Sequence, residues 1–276
     1  MRLFGQYNRY MEHISAIVSS AVLVVSCSAF DYHPYTTRVE GETGINARNV
    51  ALIEERYADA GSVRFAFLSD TQRWYDEADE AVEDINRRGD IDFVIHGGDI
   101  ADFGLRHEFE MQRDIFNRLS CPYVVLLGNH DYLGTGERVH AEIFGECNFA
   151  FTAAHTRFVC LNTNAIEVEY TPGVPDFDFI DRELRSLAPD ISATVFAMHI
   201  PPFAEEFDNR VAEKFERYAC AFPSLRFCLY GHNHQLAQGD LFGDGVIYYG
   251  APNIGKRIYY VFTLDEKGYE VEIVDY

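Results

Sequence analysis

Ile91-Asp92-Phe93-Val94-Ile95-His96-Gly97-Gly98-Asp99 is the stretch on which the reading of this chain turns. Its apolar run is short and β-branched, and glycines bound it, as in a buried strand. The glycines let the backbone turn sharply, and an acid stands directly beyond them. The same arrangement recurs four times. Residues 63–69 run into Asp70, and 123–127 run into Gly128-Asn129-His130-Asp131. Residues 194–198 run into His199, and 225–230 run into Gly231-His232-Asn233-His234. In open α/β sheets ligands bind beyond the carboxyl ends of the strands, so these five ends can converge on one edge. Singly, each polar residue reads as a helix cap, a turn former or a hydrogen-bonded structural histidine. Together they form a set of carboxylate oxygens, an amide oxygen and imidazole nitrogens. That set suits Mn, Fe or Zn better than Mg or a thiolate-bound metal.

Outward from these strands, helical patterns occupy residues 47–57, 77–88, 105–119, 177–187 and 211–222, and a further strand occupies 157–162. Gly89 is a stop signal for the second helix. Residues 246–249, 257–264 and 269–274 are short strands joined by turns, with no helix between them. The chain is therefore βαβ-like first and a β-meander last. The fold class expected is α/β, with two packed sheets and helices outside.

Taken in order, the five blocks resemble the calcineurin-like metallophosphoesterase family. Its pattern is D-x-H, G-D-x-x-D, G-N-H-[DE], a lone H, and G-H-x-H. Here the blocks stand as Asp70-Thr71-Gln72, Gly98-Asp99-Ile100-Ala101-Asp102, Gly128-Asn129-His130-Asp131, His199 and Gly231-His232-Asn233-His234. The resemblance covers about residues 63–250 and implies a four-layer α/β/β/α sandwich of two mixed β-sheets flanked by helices. It also implies two divalent metal ions (Mn, Fe or Zn), with Asp99 bridging them. Asp70 and His234 would hold the first ion, and Asn129, His199 and His232 the second. The implied reaction is hydrolysis of phosphate mono- or diesters by a hydroxide held between the ions. His130 would protonate the leaving alkoxide and Asp102 would support that imidazolium. Gln72 departs from the pattern, which has His there. Its amide oxygen either ligates the first ion as a weaker donor or faces solvent, and both readings stay open.

Beyond the five blocks, two readings stand side by side. Arg73, Trp74 and Tyr75 could hold a phosphate and a ring at the rim, with Arg73 as the substrate-binding candidate, or could pack on the following helix. The same pair of readings applies to Asn253, Lys256 and Arg257. His96 reads as structural, while His107, His140 and His155 have no partner pattern. A second function class also fits the sequence: a non-catalytic lipoprotein binding module that keeps the fold, with Gln72 as a first sign of decay. Against it, the second-ion set, His130 and Asp102 are all intact.

The chain has 276 residues, 47% of them hydrophobic and 14% aromatic, enough for one sizeable core. Its net charge of −21 repels nucleic acid backbones and anionic bilayers. The partner expected is a small phosphate ester, with no nucleic acid and no protein partner inferred. Of six cysteines, none forms a CxxC, and an odd number remains beside Cys27, so buried free thiols are expected.

Arg2 and Arg9 precede an apolar run over residues 14–25, shorter than the ~20 residues a spanning helix needs. It ends in Val24-Val25-Ser26-Cys27, which resembles a bacterial lipobox. That resemblance implies a signal peptide over 1–26 and a lipid anchor on Cys27. A tether and short helix over 27–60 and a catalytic domain over 61–276 would follow. The location implied is the cell envelope, lipid-anchored to a bacterial membrane at its periplasmic or outer-membrane face. An uncleaved signal anchor, or an apolar tail with a chance cysteine, is the alternative, and Glu12 and His13 beside the run are atypical of a signal.

Overall fold

Alternate residues of each central strand sort into two different cores, and this builds the layers. In the computed structural model, which describes residues 33–170 and 173–276, strand β1 (Ser62–Leu68) sends Val63, Phe65 and Phe67 inward and Ala66 and Leu68 outward. Strands β2 (Phe93–His96), β3 (Tyr123–Val125), β10 (Ile258–Asp265) and β11 (Gly268–Asp275) complete a five-stranded sheet in the order β11-β10-β1-β2-β3. The second sheet has six strands. They are β4 (Phe149–Ala153), β5 (Thr156–Leu161), β6 (Ala193–Met198), β7 (Leu225–Tyr230), β8 (Ala237–Asp240) and β9 (Ile247–Gly250), in the order β4-β5-β6-β7-β9-β8. Both sheets mix parallel and antiparallel pairs.

The inner faces meet over an aromatic core. Phe65 stacks on Phe93 at 5.1 Å, and both rings meet Phe158 of the opposite sheet edge-on at 5.3 and 5.5 Å. Helices α2 (Tyr75–Arg88), α3 (Arg106–Phe116) and α4 (Gly136–Ile143) cover the outer face of the five-stranded sheet through Ala81, Val82, Ile85, Phe109, Phe116, Val139 and Ile143. Helices α5 (Phe177–Ser186) and α6 (Ala212–Ala219) cover the other sheet through Ile180, Phe215 and Ala219. This is the four-layer sandwich, α/β/β/α. Strands buried on both faces read as continuous apolar runs, which is why β1, β2, β6 and β7 were visible in the sequence.

Three elements carried no such signal. The strand β4 pairs with β5 through a two-residue turn, Ala154-His155, with both residues left-handed at φ 48° and 52° and no glycine between them. The turn is held instead by α1 (Ile45–Tyr57) and the residue after it. Ala154 N–H donates to Tyr57 O at 2.7 Å, and His155 N–H to Ala58 O at 3.0 Å. The helix α4 buries Val139, His140 and Ile143, too few apolar residues to set a period. The strand β8 exists through its pairing with β9.

The terminal strands do not form one meander. β8 and β9 close the six-stranded sheet, whereas β10 crosses to pair with β1 in the other. The compact unit runs from Thr37 to Tyr276, so α1 lies inside it, ahead of the boundary drawn at residue 61. Residues 1–32, with the apolar run and Cys27, lie outside the described residues. Among the described residues no helix is long and apolar enough to cross a membrane. The five cysteines among the described residues are free, with Cys160 and Cys228 buried as expected and Cys220 exposed.

Candidate metal centre

The parallel strands of both sheets end at one rim, and four of the donor residues there turn back through left-handed backbone. Asp70 has φ 57°, Asp99 56°, His232 64° and His234 53°. Asp and His tolerate this region better than most residues, and the turn folds each side chain back toward the rim. Two glycines make the space. A Cβ at Gly128 would overlap Asp99, and one at Gly231 would overlap Ser69 Oγ and stand 2.8 Å from Asp70 Oδ2.

Asp70, Asp99 and His199 are fully or almost fully buried, and each offers a ligand atom within 4.8 Å of the others'. His199 Nε2 lies 3.3 Å from Asp99 Oδ2, and His234 Nε2 lies 3.2 Å from Asp70 Oδ1. Asn129 Oδ1 lies 3.1 Å from His199 Nε2 and 3.0 Å from His232 Nδ1. Gln72 is 4% exposed, so it does not face solvent. Its Nε2 is 3.3 Å from Asp99 Oδ2, and the exchange of amide O and N preserves the shape. The structure thus brings together Asp70, Gln72, Asp99, Asn129, His199, His232 and His234.

Hydrogen bonds from outside the cluster decide which imidazole nitrogens are free. His199 Nδ1 donates to Gly97 O at 2.8 Å, and a carbonyl can only accept, so Nε2 is the nitrogen that faces the cluster and would ligate an ion once its proton is displaced. His232 Nε2 donates to Glu206 Oε2 at 2.9 Å, which leaves Nδ1 facing Asn129. Asp131 is fully buried and accepts four main-chain N–H bonds, from Asp99, Ile100, Ala101 and Gly128, at 2.8–3.1 Å. Burial and the Asp99 charge raise its pKa. Both oxygens are nevertheless saturated by donors, and that saturation favours the carboxylate. Neither Glu206 nor Asp131 stood out as a site residue in the sequence. Asp131 was within a quoted block, but Glu206 follows a loop with no pattern.

Protons balance the buried carboxylates in this arrangement. Burial alone would lower the His199 pKa, but Asp99 outweighs it and pushes it up to about 9. Asp70 likewise raises His234, while burial and His199 lower His232. Two buried acceptors, Asp70 Oδ1 and Gln72 Oε1, lack an aligned donor. Carboxylates that hold protons on the facing imidazoles, beside buried acceptors without an aligned donor, fit a divalent cation, whose uptake would displace those protons and free the nitrogens as ligands.

His130 and Asp102 meet differently from the expected pairing. His130 Nδ1 donates to the main-chain O of Asp102 at 2.9 Å, and the carboxylate Oδ1 is 3.7 Å away. That carboxylate is engaged by Arg73, whose side chain is otherwise mostly exposed. Trp74 packs against Gly255 and the helical core, and Tyr75 opens α2. Lys256 Nζ donates to His234 O at 2.7 Å, and Arg257 pairs with Glu80 and Glu77. Asn253 forms a bridge with Ser69. His96 is buried against Thr71 at 2.9 Å, and burial lowers its pKa to about 3, a structural role. His140 is buried beneath Phe144, and His155 lies in the β4–β5 turn.

Residues 63–236 match the family model described as calcineurin-like phosphoesterase. The chain belongs to the calcineurin-like phosphoesterase family. It is similar to a 3',5'-cyclic-nucleotide phosphodiesterase of Nostoc sp., 23% identical over 155 residues, covering 54% of this chain and 58% of that protein. Its fold is similar to purple acid phosphatase PPD1 from yellow lupin seeds (TM-score 0.61, 13% identity, 79% of this chain and 52% of that one). It is also similar to GAP50, the anchor in the inner membrane complex of Plasmodium (TM-score 0.58, 11% identity, 78% and 85%). The chain thus spans little more than half of the curated relative and of the lupin phosphatase. Members of this phosphoesterase family depend on metal, and the donor cluster above gives this one a place to hold it.

Proposed function

We propose that this chain hydrolyses small phosphate mono- or diesters, using two divalent ions. Asp99 would bridge them, Asp70, His234 and Gln72 would hold the first, and Asn129, His199 and His232 the second. The observation that carries this reading is a pair of buried acceptors without an aligned hydrogen-bond donor, Asp70 Oδ1 and Gln72 Oε1, inside a cluster of inward-facing imidazole nitrogens. When bound, such ions supply charge neutralisation at phosphate oxygens and a water acidic enough to react at neutral pH.

The chain's own residues supply the rest. The main-chain N–H of His130 donates to Asp99 Oδ1 at 2.9 Å, and its Nδ1 is committed to Asp102 O. Nε2 is therefore the free edge of the ring. When the ring is the imidazolium, the Nε2 proton can pass to the leaving alkoxide oxygen, the N–H bond breaking as the O–H bond forms and the ring left neutral with its Nδ1–H on Asp102 O. Asp131 holds the loops after β2 and β3 together through its four N–H partners, which fixes Asp99 against His130.

The test is a panel of phosphate esters, with aryl, alkyl and 3',5'-cyclic-nucleotide members. It is run on the purified chain with Mn, Fe, Zn and Mg in turn, alongside a metal count. Turnover with about two ions per chain is expected. No hydrolysis of any ester by metal-loaded protein rejects the proposal.

A further inference from the structure

We infer that the phosphoester accepted by this site carries an alkyl or acyl chain, held by a crescent of apolar side chains around the donor cluster. The inference rests on the phosphoesterase reading above. Nine large apolar side chains are exposed among the described residues. Five of them, Phe103, Leu133, Ile166, Phe203 and Leu236, stand on loops that leave the carboxyl ends of β2, β3, β5, β6 and β7. The other four, Tyr35, Met111, Val271 and Ile273, lie elsewhere in the chain.

The loops join edge to edge. Gly104 abuts the Leu133 main chain, bringing the Phe103 and Leu133 loops together beside His130. Tyr132 OH accepts from Asn162 Nδ2 at 2.7 Å, and Asn164 Nδ2 donates to Leu127 O at 2.8 Å, tying the next loop in. Ile166 N–H donates to Glu206 O at 3.3 Å, and the Glu206 carboxylate reaches His232. The crescent therefore borders the reacting centre.

Phe203 is held outward. Its backbone is left-handed, φ 72°, which is costly for a bulky residue. Asn209 pins it there, accepting from Phe203 N–H at 2.8 Å and donating to Ala204 O at 2.7 Å. Phe203 is 53% exposed, with its ring tilted against Phe242 at 4.9 Å. Exposed apolar side chains on the loops that border a polar site fit the apolar part of a ligand. Phe, Leu, Ile, Phe and Leu offer no hydrogen bonds to the edges of a nucleobase, and the chain's charge of −21 repels polyanions.

The test uses the full chain with Mn²⁺ and methyl, butyl, hexyl and nucleoside 4-nitrophenyl phosphodiesters. From methyl to hexyl, kcat/KM should rise about tenfold, a fraction of what full burial of the added methylenes would bring. Phe103→Ser and Phe203→Ser should each cut the hexyl-to-methyl ratio about threefold or more, whereas Ile273→Ser should leave it alone. Hexylphosphonate should also bind more tightly than methylphosphonate, with a more negative heat-capacity change. Equal rates for all chain lengths, an unchanged ratio in both rim variants, or a preference for the nucleoside ester overturns the inference while leaving the phosphoesterase reading intact. Hydrolysis of none of them overturns both.

Discussion

A glutamine amide and an imidazole differ in what they give a divalent ion. The amide oxygen is neutral and less basic, so as a ligand Gln72 would compensate only in part for the histidine of the family pattern. Its burial beside Asp99, with Oε1 lacking a donor, places it where a ligand would be. Dialysis against a mild chelator should strip one ion well before the other, with activity falling alongside. Gln72→His should slow that first loss by at least the roughly tenfold that even an outer-shell partner is worth. Equal retention of both ions by wild type and variant would refute the weakened-ligand account. At His130, substitution by Ala should leave metal content nearly unchanged and lower turnover of alkyl esters by about 10²–10⁴-fold. An activated aryl ester needs no proton on departure and should lose less. Parallel losses on both ester types would remove His130 as the acid.

Elements in this fold are joined by side chains that imitate backbone. Asn46 of α1 donates to Val125 O at 2.8 Å and accepts from Val125 N–H at 2.9 Å, and Asn49 donates to Tyr123 O at 2.7 Å. The open edge of β3 is thereby paired by a helix. Asn46→Ala should leave two buried main-chain groups unpaired, costing about 2 kcal/mol and lowering Tm by about 4–8 °C. Thermal melts of the two proteins within a degree of each other would contradict this. Between α6 and β9, the Tyr248 hydroxyl donates to Glu216, whose carboxyl is pushed up to about 7, first by burial and then by Asp244. The folded value lies above the ordinary 4.5, so the protonated form is the stabilising one. Its contribution is complete below pH 4.5 and is lost as pH rises through about 7. Glu216→Gln keeps an acceptor for Tyr248 and should gain about 1 kcal/mol at pH 8, discounted for solvent beside exposed Cys220, with little change at pH 4. A gain independent of pH would point to packing instead.

At the scale of the molecule, two sheets meet so that strand ends from both surround one cluster of donors, and neither sheet alone carries the set. Asp70, Asp99 and Asn129 come from the five-stranded sheet, and His199, His232 and His234 from the six-stranded one. Attachment to a membrane is a property we assign to residues 1–32, through a lipid on Cys27, on the sequence alone. In a bacterial host, Cys27→Ala should move the protein from the membrane fraction to the aqueous one. A variant that still sediments with membrane, beside a wild type with no lipid by mass, would end that assignment.

The sequence by itself determined the strands buried on both faces, because such strands need continuous apolar runs, and it picked out the residues that gather at the rim, because each lies just beyond the end of its strand. Asp70, Asp99, Asn129, His199, His232 and His234 were legible for that local reason. Only tertiary structure decided the rest. The strand β4 and its turn depend on carbonyls at the end of α1, and β10 leaves the terminal meander to pair with β1. Asp102 reaches His130 chiefly through its carbonyl, because Arg73 takes its carboxylate. Glu206 meets His232 from another loop, 26 residues away in the chain. Contacts between distant segments leave no period and no spacing in the sequence, and in this chain they fix which nitrogen is free, which acceptor is left without a donor, and where the apolar edge lies.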